Sequence, residues 1–452
     1  MNYQNRLARS AHFGLVRNAV RRRDLLAAVA AIGLAPAARA FAAEGDLAAA
    51  AREAWIFALP LIEMASIRSG ARGRPNQLHH TRMLITPAER RVTAPNNDTL
   101  FSEAWLDLTR GPLVLRVPPT GSRYMSVQIM NMYTDVDATL SRRTIGDQGG
   151  LFTIIGPGQP DSGENTVRLS TPHGWMLVRT LVDGPADLPA AHGVQDGLQL
   201  SGPSVEPPGR FADRHADAAA YFAAAAALMA ADPPRSADTG LLDRIAPLGL
   251  TAKSGFDSRA LTPAQWKNVE AGVVAAKAQM MSFAAGQQYI DGWTYPKANV
   301  GAFGQDYLFR ANVALVGIGA NTPAEAMYMH PRGEDRRNAF NGDGLYRLSL
   351  EATPPVDGFW SLTMYELTSE GQRFLTENPI NRYSIGDRTP GLKRRADGGL
   401  DLWIGRSDPG GDRTANWLPA PSKGPFFMSM RAYWPKAELR DGRYRLPPIS
   451  LA

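Results

Sequence analysis

The 452-residue chain contains no cysteine. This absence excludes disulfide bonds, thiolate metal sites, cysteine-bound iron–sulfur clusters and cysteine nucleophiles. A fold without disulfides depends on the burial of apolar side chains, and a chain of this length is expected to form two or three domains. Its 43 glycines and 34 prolines favour many turns, and therefore a large share of β-structure.

Common catalytic signatures are missing as well. The sequence has no G-x-S-x-G elbow, no H-E-x-x-H helix and no G-x-x-x-x-G-K phosphate loop. No pair of histidines has the spacing of helical metal ligands, so we predict no metal site, and no cofactor is assigned. His79 and His80 fall in a polar segment, 69–90, that is predicted to be a loop. His330 precedes a Pro-Arg-Gly-Glu-Asp turn and is expected at the surface.

Residues 1–42 have the features of a twin-arginine export signal. Arg21–Arg23 precede an apolar run, Leu25–Leu34, that is too short to span a bilayer. Small residues suited to cleavage follow at Ala38–Ala40 or at Ala40–Ala42. We therefore predict a periplasmic or secreted product without stable membrane insertion after cleavage.

The net charge of the whole chain comes mostly from this leader. The chain has 49 basic and 43 acidic residues, a net charge of +6. Residues 1–40 hold seven arginines and one acid, which leaves 42 residues of each sign in the remainder. A nearly neutral mature protein gives no reason to expect nucleic acid or an anionic membrane surface as a partner.

Hydrophobic periodicity divides the rest of the chain into three parts. An N-terminal helix and a β-sandwich are predicted over 43–200, a helical insert over 201–300, and a second β-sandwich over 301–452. The expected fold class is mainly β with helices (α+β), with two related β-sandwich domains.

The helices are predicted from spacing and from local capping signals. Apolar residues recur every three or four positions between Asp46 and Arg68, and alanine-rich windows cover 212–231 and 262–285. Thr262 and Gln265 have the spacing of a capping box, with a proline at the first helical position between them.

The two β-rich parts repeat four features in the same order. These are a long apolar strand (Arg123–Met130 and Gly358–Tyr365), an Ile-Gly-Asp segment (145–147 and 385–387), a short strand ending in a Gly/Pro turn (151–158 and 400–410), and an aromatic strand that carries an arginine (Arg179 and Arg431). We interpret this order as an internal duplication with the helical insert between the copies.

The stretch Val92–Leu108 has the densest run of small polar side chains and is predicted to be an ordered turn that enters a strand. Three of its residues are candidate catalytic groups: Asp98 as an acid/base, helped by Asn96 and Thr99. The alternative is an ordinary Asx-turn that only starts the strand.

A second group of candidates lies in the C-terminal part. Arg382 beside Tyr383 suits a carboxylate, phosphate or sugar, through forked hydrogen bonds and stacking. Trp417 stands between polar and proline residues, as in loops that stack on sugars. The alternatives are an arginine that ties its loop to the sandwich through Asp387, and a buried tryptophan.

These motifs resemble two families that often occur in one chain, the domains of unknown function numbered 1254 and 1214. The first resemblance is carried by Val92–Leu108, Gly111–Val117, Arg123–Thr134 and Arg179–Gly184. The second is carried by Phe359–Tyr365, Asn378–Arg388, Asn416–Pro421 and Arg431–Pro435. The resemblance implies a bacterial exported protein with two β-sandwich domains plus helices, and it implies no particular chemistry.

Two functions stay open on the sequence. The first is a hydrolase or lyase that acts on a small polar or carbohydrate-like compound at a cleft between the two sandwiches. The second is a non-catalytic periplasmic binding or envelope protein in which the same residues fix the domain interface. A concave site at Asp98 that faces a cation favours the first, whereas a carboxylate whose oxygens are fully engaged favours the second.

Overall fold

The computed structural model describes residues 34–90, 93–253, 255–286, 288–334, 338–342 and 344–452. The arginines and most of the apolar run of the predicted export signal lie outside these residues. Helices make up one layer of the fold, and two β-sandwiches make up the rest, in agreement with the expected α+β class.

Eight α-helices are described in these ranges. They are α1 (Leu34–Ser69), α2 (Arg142–Ile145), α3 (Leu188–Gly197), α4 (Ala218–Ala231), α5 (Thr239–Ile245), α6 (Pro263–Ala285), α7 (Tyr307–Val316) and α8 (Ala437–Arg440). The two alanine-rich windows correspond to α4 and α6. The capping box of α6 is confirmed, since Thr262 Oγ1 accepts from the Gln265 amide at 3.3 Å and Gln265 Oε1 accepts from the Thr262 amide at 2.9 Å.

The helical layer is built around α1, which packs against α4, α5, α6 and α7. Trp55 of α1 stacks on Tyr221 of α4 with ring centroids 5.5 Å apart, and the Tyr221 hydroxyl donates to the Trp55 carbonyl. Because α1 precedes the predicted insert over 201–300 and α7 follows it, the layer is assembled from two separate parts of the chain. Within the described residues, no helix combines the length and apolarity needed to cross a membrane.

The N-terminal β-sandwich packs a five-stranded sheet against a four-stranded sheet. Its strands are β1 (His79–His80), β2 (Thr99–Asp107), β3 (Leu113–Val117), β4 (Met125–Asn131), β5 (Val136–Ser141), β6 (Gly150–Ile155), β7 (Thr166–Arg168), β8 (His173–Leu181) and β9 (Gln199–Ser201). The strand orders are β1-β2-β8-β4-β5 and β7-β6-β3-β9. Every residue of β8 is buried, because the helices cover one face of its sheet and the smaller sheet covers the other.

The C-terminal β-sandwich has the same two-sheet architecture. Its strands are β10 (Trp293–Thr294), β11 (Ala326–Pro331), β12 (Ala339–Phe340), β13 (Tyr346–Leu350), β14 (Trp360–Leu367), β15 (Arg373–Phe374), β16 (Ser384–Gly386), β17 (Leu400–Gly405), β18 (Trp417–Pro419), β19 (Phe426–Tyr433) and β20 (Ser450–Leu451). The larger sheet has the order β10-β11-β19-β14-β15, with β12 on β19 and β16 on β14, and the smaller has the order β18-β17-β13-β20.

The two sandwiches arrange corresponding strands in the same order. The path β1-β2-β8-β4 matches β10-β11-β19-β14, and β7-β6-β3-β9 matches β18-β17-β13-β20. In each smaller sheet one pair is parallel, β6 with β7 and β17 with β18. Equivalent positions in the two halves can therefore be named from the strand register.

Two histidine predictions are corrected by the strand positions. His79 and His80, expected in a loop, form the short edge strand β1 opposite Glu103 and Ser102 of β2. His330, expected at the surface, lies on β11 with its Nδ1 atom buried, and its ring packs 5.0 Å from that of Phe427. The turn-like residues after His330 therefore follow the strand and do not include the histidine.

The two sandwiches meet where β4 and β14 begin and where β8 and β19 end. A buried aromatic cluster fills this contact, here called the interface, and its main members are Tyr124, Phe359, Tyr433 and Trp434. Tyr433 stacks on Phe359 at 4.1 Å, and the ring of Tyr124 meets Tyr433 and Trp434 at 5.0 Å. Burial of these large rings stabilises the contact between the halves.

Candidate functional site

The polar turn that precedes β2 forms as predicted. Asn96 Oδ1 accepts from the backbone amides of Asp98 at 2.7 Å and Thr99 at 3.2 Å. This side-chain-to-backbone bonding is an Asx-turn, and it fixes the conformation of the loop just before the strand starts. The turn brings Asn96, Asp98 and Thr99 together at the interface.

Asp98 reaches across the interface to the C-terminal sandwich. Its Oδ2 atom accepts from Ser361 Oγ of β14 at 2.8 Å and from the Tyr433 hydroxyl of β19 at 3.4 Å. Asn96 Nδ2 donates to the same tyrosine hydroxyl at 2.8 Å. Only 8% of Asp98 is exposed, so these bonds are shielded from water and the carboxylate joins the two halves.

Burial dominates the electrostatics of this cluster. It raises the pKa of Asp98, although the charge of Arg431 and the hydrogen bonds from Ser361 and Tyr433 oppose the shift. For Arg431 burial lowers the pKa, but the neighbouring oxygens of Tyr365, Tyr433 and Asp98 outweigh it and leave that pKa above its usual value. The pair is a protonatable acid beside a permanent cation.

Arg431 is held by both halves of the protein. Its Nη1 donates to Thr363 Oγ1 at 2.7 Å, and its Nη2 donates to the Tyr365 hydroxyl at 2.7 Å and to the Ala94 carbonyl at 3.3 Å. The Tyr365 hydroxyl in turn donates to the Pro95 carbonyl at 2.7 Å. The loop of the first sandwich therefore covers the buried arginine of the second.

Glu325 occupies the position in the second half that Asp98 occupies in the first. It lies three residues before Tyr328, which faces Arg431, just as Asp98 lies three residues before Phe101, which faces Arg179. Its carboxylate accepts from Ser141 Oγ at 3.0 Å, from Trp434 Nε1 at 2.8 Å and from Arg143 Nε at 3.3 Å. Burial raises its pKa too.

Thr99 is buried, and its hydroxyl has no hydrogen-bond partner within the described part of the chain. The Ser361 hydroxyl lies 2.8 Å from the Asp98 carboxylate. At this distance the carboxylate can accept the hydroxyl proton, which is how a base activates a serine nucleophile. A substrate would have to displace the aromatic cluster to reach it, because both groups are enclosed.

Arg382 and Trp417 lie together, away from the bonds that join Asp98 to β14 and β19. Arg382 Nη1 donates to three backbone carbonyls, those of Thr414, Ala415 and Trp417. The Trp417 ring is buried and its Nε1 donates to the Gly405 carbonyl at 2.8 Å. Arg382 Nη1 and Trp417 Nε1 therefore both bond to the backbone of the second sandwich.

Tyr383 takes an intermediate position. Its ring is partly buried against the cluster of Tyr365, Leu375 and Phe427, and its hydroxyl makes one long bond of 3.4 Å to Asn381 Oδ1. Tyr365 connects this cluster to Arg431. Of the three C-terminal candidates, Tyr383 packs against Tyr365, which bonds to Arg431. Arg382 and Trp417 instead bond to the backbone of neighbouring loops and strands.

A surface groove lies on the other side of the N-terminal sandwich, between the end of α1, the following loop and β2. Its walls include Arg68, Arg72, Arg74, His79, Glu103 and Trp105, with prolines 207 and 208 at one edge. The enclosed part of the groove is about 30 Å³, which is room for little more than one water molecule, and the rest is open to solvent.

Three buried nitrogen atoms of the groove have no hydrogen-bond partner within the described residues: Arg68 Nε, His79 Nε2 and Trp105 Nε1. The side chain of Arg68 is only 9% exposed, and Trp105 is 5% exposed. Buried donors without partners are rare because each costs about 1–3 kcal/mol. Each of the three atoms has almost no exposed surface, so they lie beneath the wall of the groove and not in its open space.

The groove is held rigid from beneath. Trp105 stacks on Trp175, its partner across the β2–β8 pair, with ring centroids 5.2 Å apart and planes 1° from parallel. Arg68 Nη2 donates to Asp107 Oδ2 at 3.3 Å, and Asp107 also lies 3.3 Å from Nε2 of His173. The Arg68 guanidinium is thus anchored to Asp107 through Nη2, while its Nε is buried without a partner in the described residues.

Two family models match separate ranges of the chain. Residues 75–202 match the family model described as a protein of unknown function, DUF1254, and residues 325–437 match a second one, DUF1214. These ranges fall in the N-terminal and C-terminal sandwiches, as the motif resemblance predicted.

Two solved structures were compared with the whole chain. The VPA0106 protein from Vibrio parahaemolyticus is 22% identical, with a TM-score of 0.70, over 90% of this chain and 100% of that one. A putative uncharacterized protein from Burkholderia cenocepacia is 14% identical, with a TM-score of 0.44, over 92% of this chain and 98% of its own. The first likeness supports the fold alone. No curated protein matches the chain.

The groove residues were not singled out from the sequence, although a signal was present. Glu103 and Trp105 lie in the same stretch as Asp98, Val92–Leu108, on alternate positions of β2, and therefore face the same side of the sheet. His79 pairs with Glu103 across β1. The alternation of side chains along a strand shows which residues share a face of the sheet. It does not show that α1 and the loop after it fold over that face.

Proposed function

We propose that this protein is a periplasmic binding protein for a small polar ligand, with the groove as its ligand site and the interface as a structural joint. One observation carries the proposal. The polar atoms of the Asn96–Asp98 loop bond to protein groups within the loop and across the interface, whereas the groove is open to solvent and carries the exposed Arg72 side chain on its wall.

The interface also supports an internal duplication as the origin of the two sandwiches. Corresponding strands follow the same order, and Asp98 and Glu325 occupy equivalent positions, each three residues before the residue that pairs with a buried arginine. Two copies that met through one surface would place equivalent acids on either side of that surface.

A thermal-shift screen of small polar compounds tests the binding role. We expect at least one hit whose shift persists in Asp98→Asn and is lost in Arg72→Met, a change that removes an exposed cation from the groove wall. The circular dichroism spectrum of each variant controls for folding. Hits lost in Asp98→Asn and retained in Arg72→Met would contradict the proposal.

A hydrolase or lyase is the second candidate, and one contact favours it. Asp98 Oδ2 lies 2.8 Å from Ser361 Oγ, and a carboxyl with a raised pKa beside a hydroxyl suits acid/base catalysis. The matched pair Ser361→Ala and Ser126→Ala separates this candidate from the first. Turnover of any ester or glycoside that falls in Ser361→Ala and not in Ser126→Ala would establish catalysis at the interface.

A further inference from the structure

We propose that the thioether of Met83 is a site of reversible oxidation by hydroperoxides. The chain has no cysteine, so no thiol is present to react first, and methionine is the other sulfur-containing side chain that is oxidised. Met83 lies outside the groove and outside the aromatic cluster of the interface. Its oxidation is therefore separate from the ligand binding proposed above.

The methionines fall into two groups by their exposure. Of the 15 methionines in the chain, Met1 lies outside the described residues. Met83 is 71% exposed and Met281 is 46% exposed, whereas none of the remaining twelve is more than 3% exposed. Because oxidation selects exposed sulfur atoms, a peroxide reaches only these two thioethers in the described part of the folded chain.

The segment around Met83 presents the side chain to solvent while its backbone is held in place. Residues 81–90 belong to no helix or strand. The Thr81 amide donates to the Phe101 carbonyl at 2.7 Å, and Leu84 packs in a small apolar cluster with Leu100. Met83 is thus anchored on both sides along the chain, and its thioether remains at the surface.

Met281 is the second exposed thioether and lies near the end of α6. It is less exposed than Met83, so we expect it to react more slowly. The residue before it, Met280, is 2% exposed and belongs to the core of the helical layer. Met280 and Met281 therefore share a local sequence and differ in exposure, which makes them an internal comparison.

The oxidation transfers one oxygen atom from the peroxide to the sulfur. The sulfur lone pair attacks the terminal peroxide oxygen, an S–O bond forms and the O–O bond breaks. The departing hydroxide or alkoxide takes the proton of the transferred oxygen and leaves as water or an alcohol. Sulfur loses two electrons and the peroxide gains them. The polar sulfoxide would disrupt a core, whereas at Met83 solvent hydrates the new oxygen.

Reversal needs a partner enzyme, because the chain has no thiols of its own. A methionine sulfoxide reductase reduces the sulfoxide with two thiols, which become a disulfide while the oxygen leaves as water. An exposed side chain on a segment outside helices and strands can enter the active site of such an enzyme. The structure therefore favours a cycle of oxidation and repair at Met83.

Peptide mapping by mass spectrometry tests the proposal on mature protein treated with hydrogen peroxide. Trypsin releases peptide 83–90, whose only methionine is Met83, and peptide 278–297, which holds both Met280 and Met281. We expect Met83 to be oxidised first and Met281 second, with Met280 at least about tenfold slower than Met281. Methionine sulfoxide reductases of both epimer specificities, with dithiothreitol, should restore Met83.

The matched variants are Met83→Leu and Met125→Leu. The first should abolish the fastest oxidation, and the second, at a buried position, should leave it unchanged. In urea the difference between Met280 and Met281 should disappear, because unfolding exposes both. Oxidation of Met280 as fast as Met281 in the folded protein, faster oxidation of Met281 than of Met83, or a Met83 sulfoxide that the reductases do not repair would overturn the proposal.

Discussion

Arg179 and Arg431 occupy equivalent positions, and each is covered by a segment of the opposite sandwich. Each arginine faces a serine on the neighbouring strand, Ser126 for Arg179 and Ser361 for Arg431. Arg179 donates to Asn321 Oδ1 at 3.2 Å and to the Gly319 carbonyl at 2.5 Å, while Arg431 donates to a carbonyl of the loop before β2. The two halves therefore satisfy each other's buried cations.

This reciprocity predicts cooperative unfolding. Arg431→Met should lower the unfolding free energy by about 3 kcal/mol, because it leaves the Thr363 hydroxyl and the Ala94 carbonyl without a buried donor. Differential scanning calorimetry should show one transition in the wild type and one, at lower temperature, in the variant. Two separate transitions in the wild type would mean that the halves are stable independently.

Asp98 gives a prediction with a defined pH dependence. Asp98→Ala removes the acceptor of Ser361 and Tyr433 and should cost about 1–3 kcal/mol. Because the pKa of Asp98 is raised in the fold, its contribution to stability is complete below its usual value of 3.8 and is lost as pH rises through the raised value. Asp98→Asn stays neutral, so its deficit relative to the wild type should shrink as pH rises. Urea titrations between pH 4 and 8 measure this difference, and Glu164→Ala, at an exposed site, is the control.

The protonation of His173 makes the stability of the fold depend on pH above 6.5. Burial lowers its pKa, but the carboxylates of Asp107 and Asp232 outweigh burial and raise it above 6.5. Arg68, the cation nearest to this group, opposes the shift. Its stabilising charge is therefore fully present below 6.5 and is lost as pH rises through the raised value.

The test is His173→Gln, which should cost about 2 kcal/mol near pH 6 and flatten the loss of stability on the alkaline side. His192→Gln, on α3, controls for the loss of a histidine. The idea fails if the two variants follow the same pH profile in chemical denaturation.

The export signal gives a prediction independent of the folded domains. Changing both Arg22 and Arg23 to lysine keeps the charge and removes the arginine pair, so the precursor should accumulate in the cytoplasm. Cell fractionation followed by immunoblotting measures the distribution. Normal export of the double variant in cells whose general secretory route is blocked would argue against a twin-arginine route.

Most of the helices and strands were predicted from the sequence, but the long-range partners of their buried side chains were not. Strands such as β4 and β19 were recognisable because apolar runs between turn residues report burial on both faces. The turn at Asn96 was recognisable because Asx-bonding is local. The partners of Asp98 were not, since Ser361 and Tyr433 are more than 260 residues away along the chain. Trp417 was predicted as a ligand contact, and its burial follows from packing that no local pattern encodes.

Because each half provides hydrogen-bond partners for the buried arginine of the other, a sandwich produced alone would lack some of its native contacts. An isolated N-terminal half would leave Arg179 without Gly319 and Asn321, and would expose Tyr124 at the start of β4. A second copy of the same half could supply a loop to each of these surfaces in return, through a twofold, self-complementary contact. An ancestor with a single sandwich would on this view have been a symmetric dimer, and fusion of its two subunits would have freed the copies to diverge, one around Asp98 and the other around Glu325.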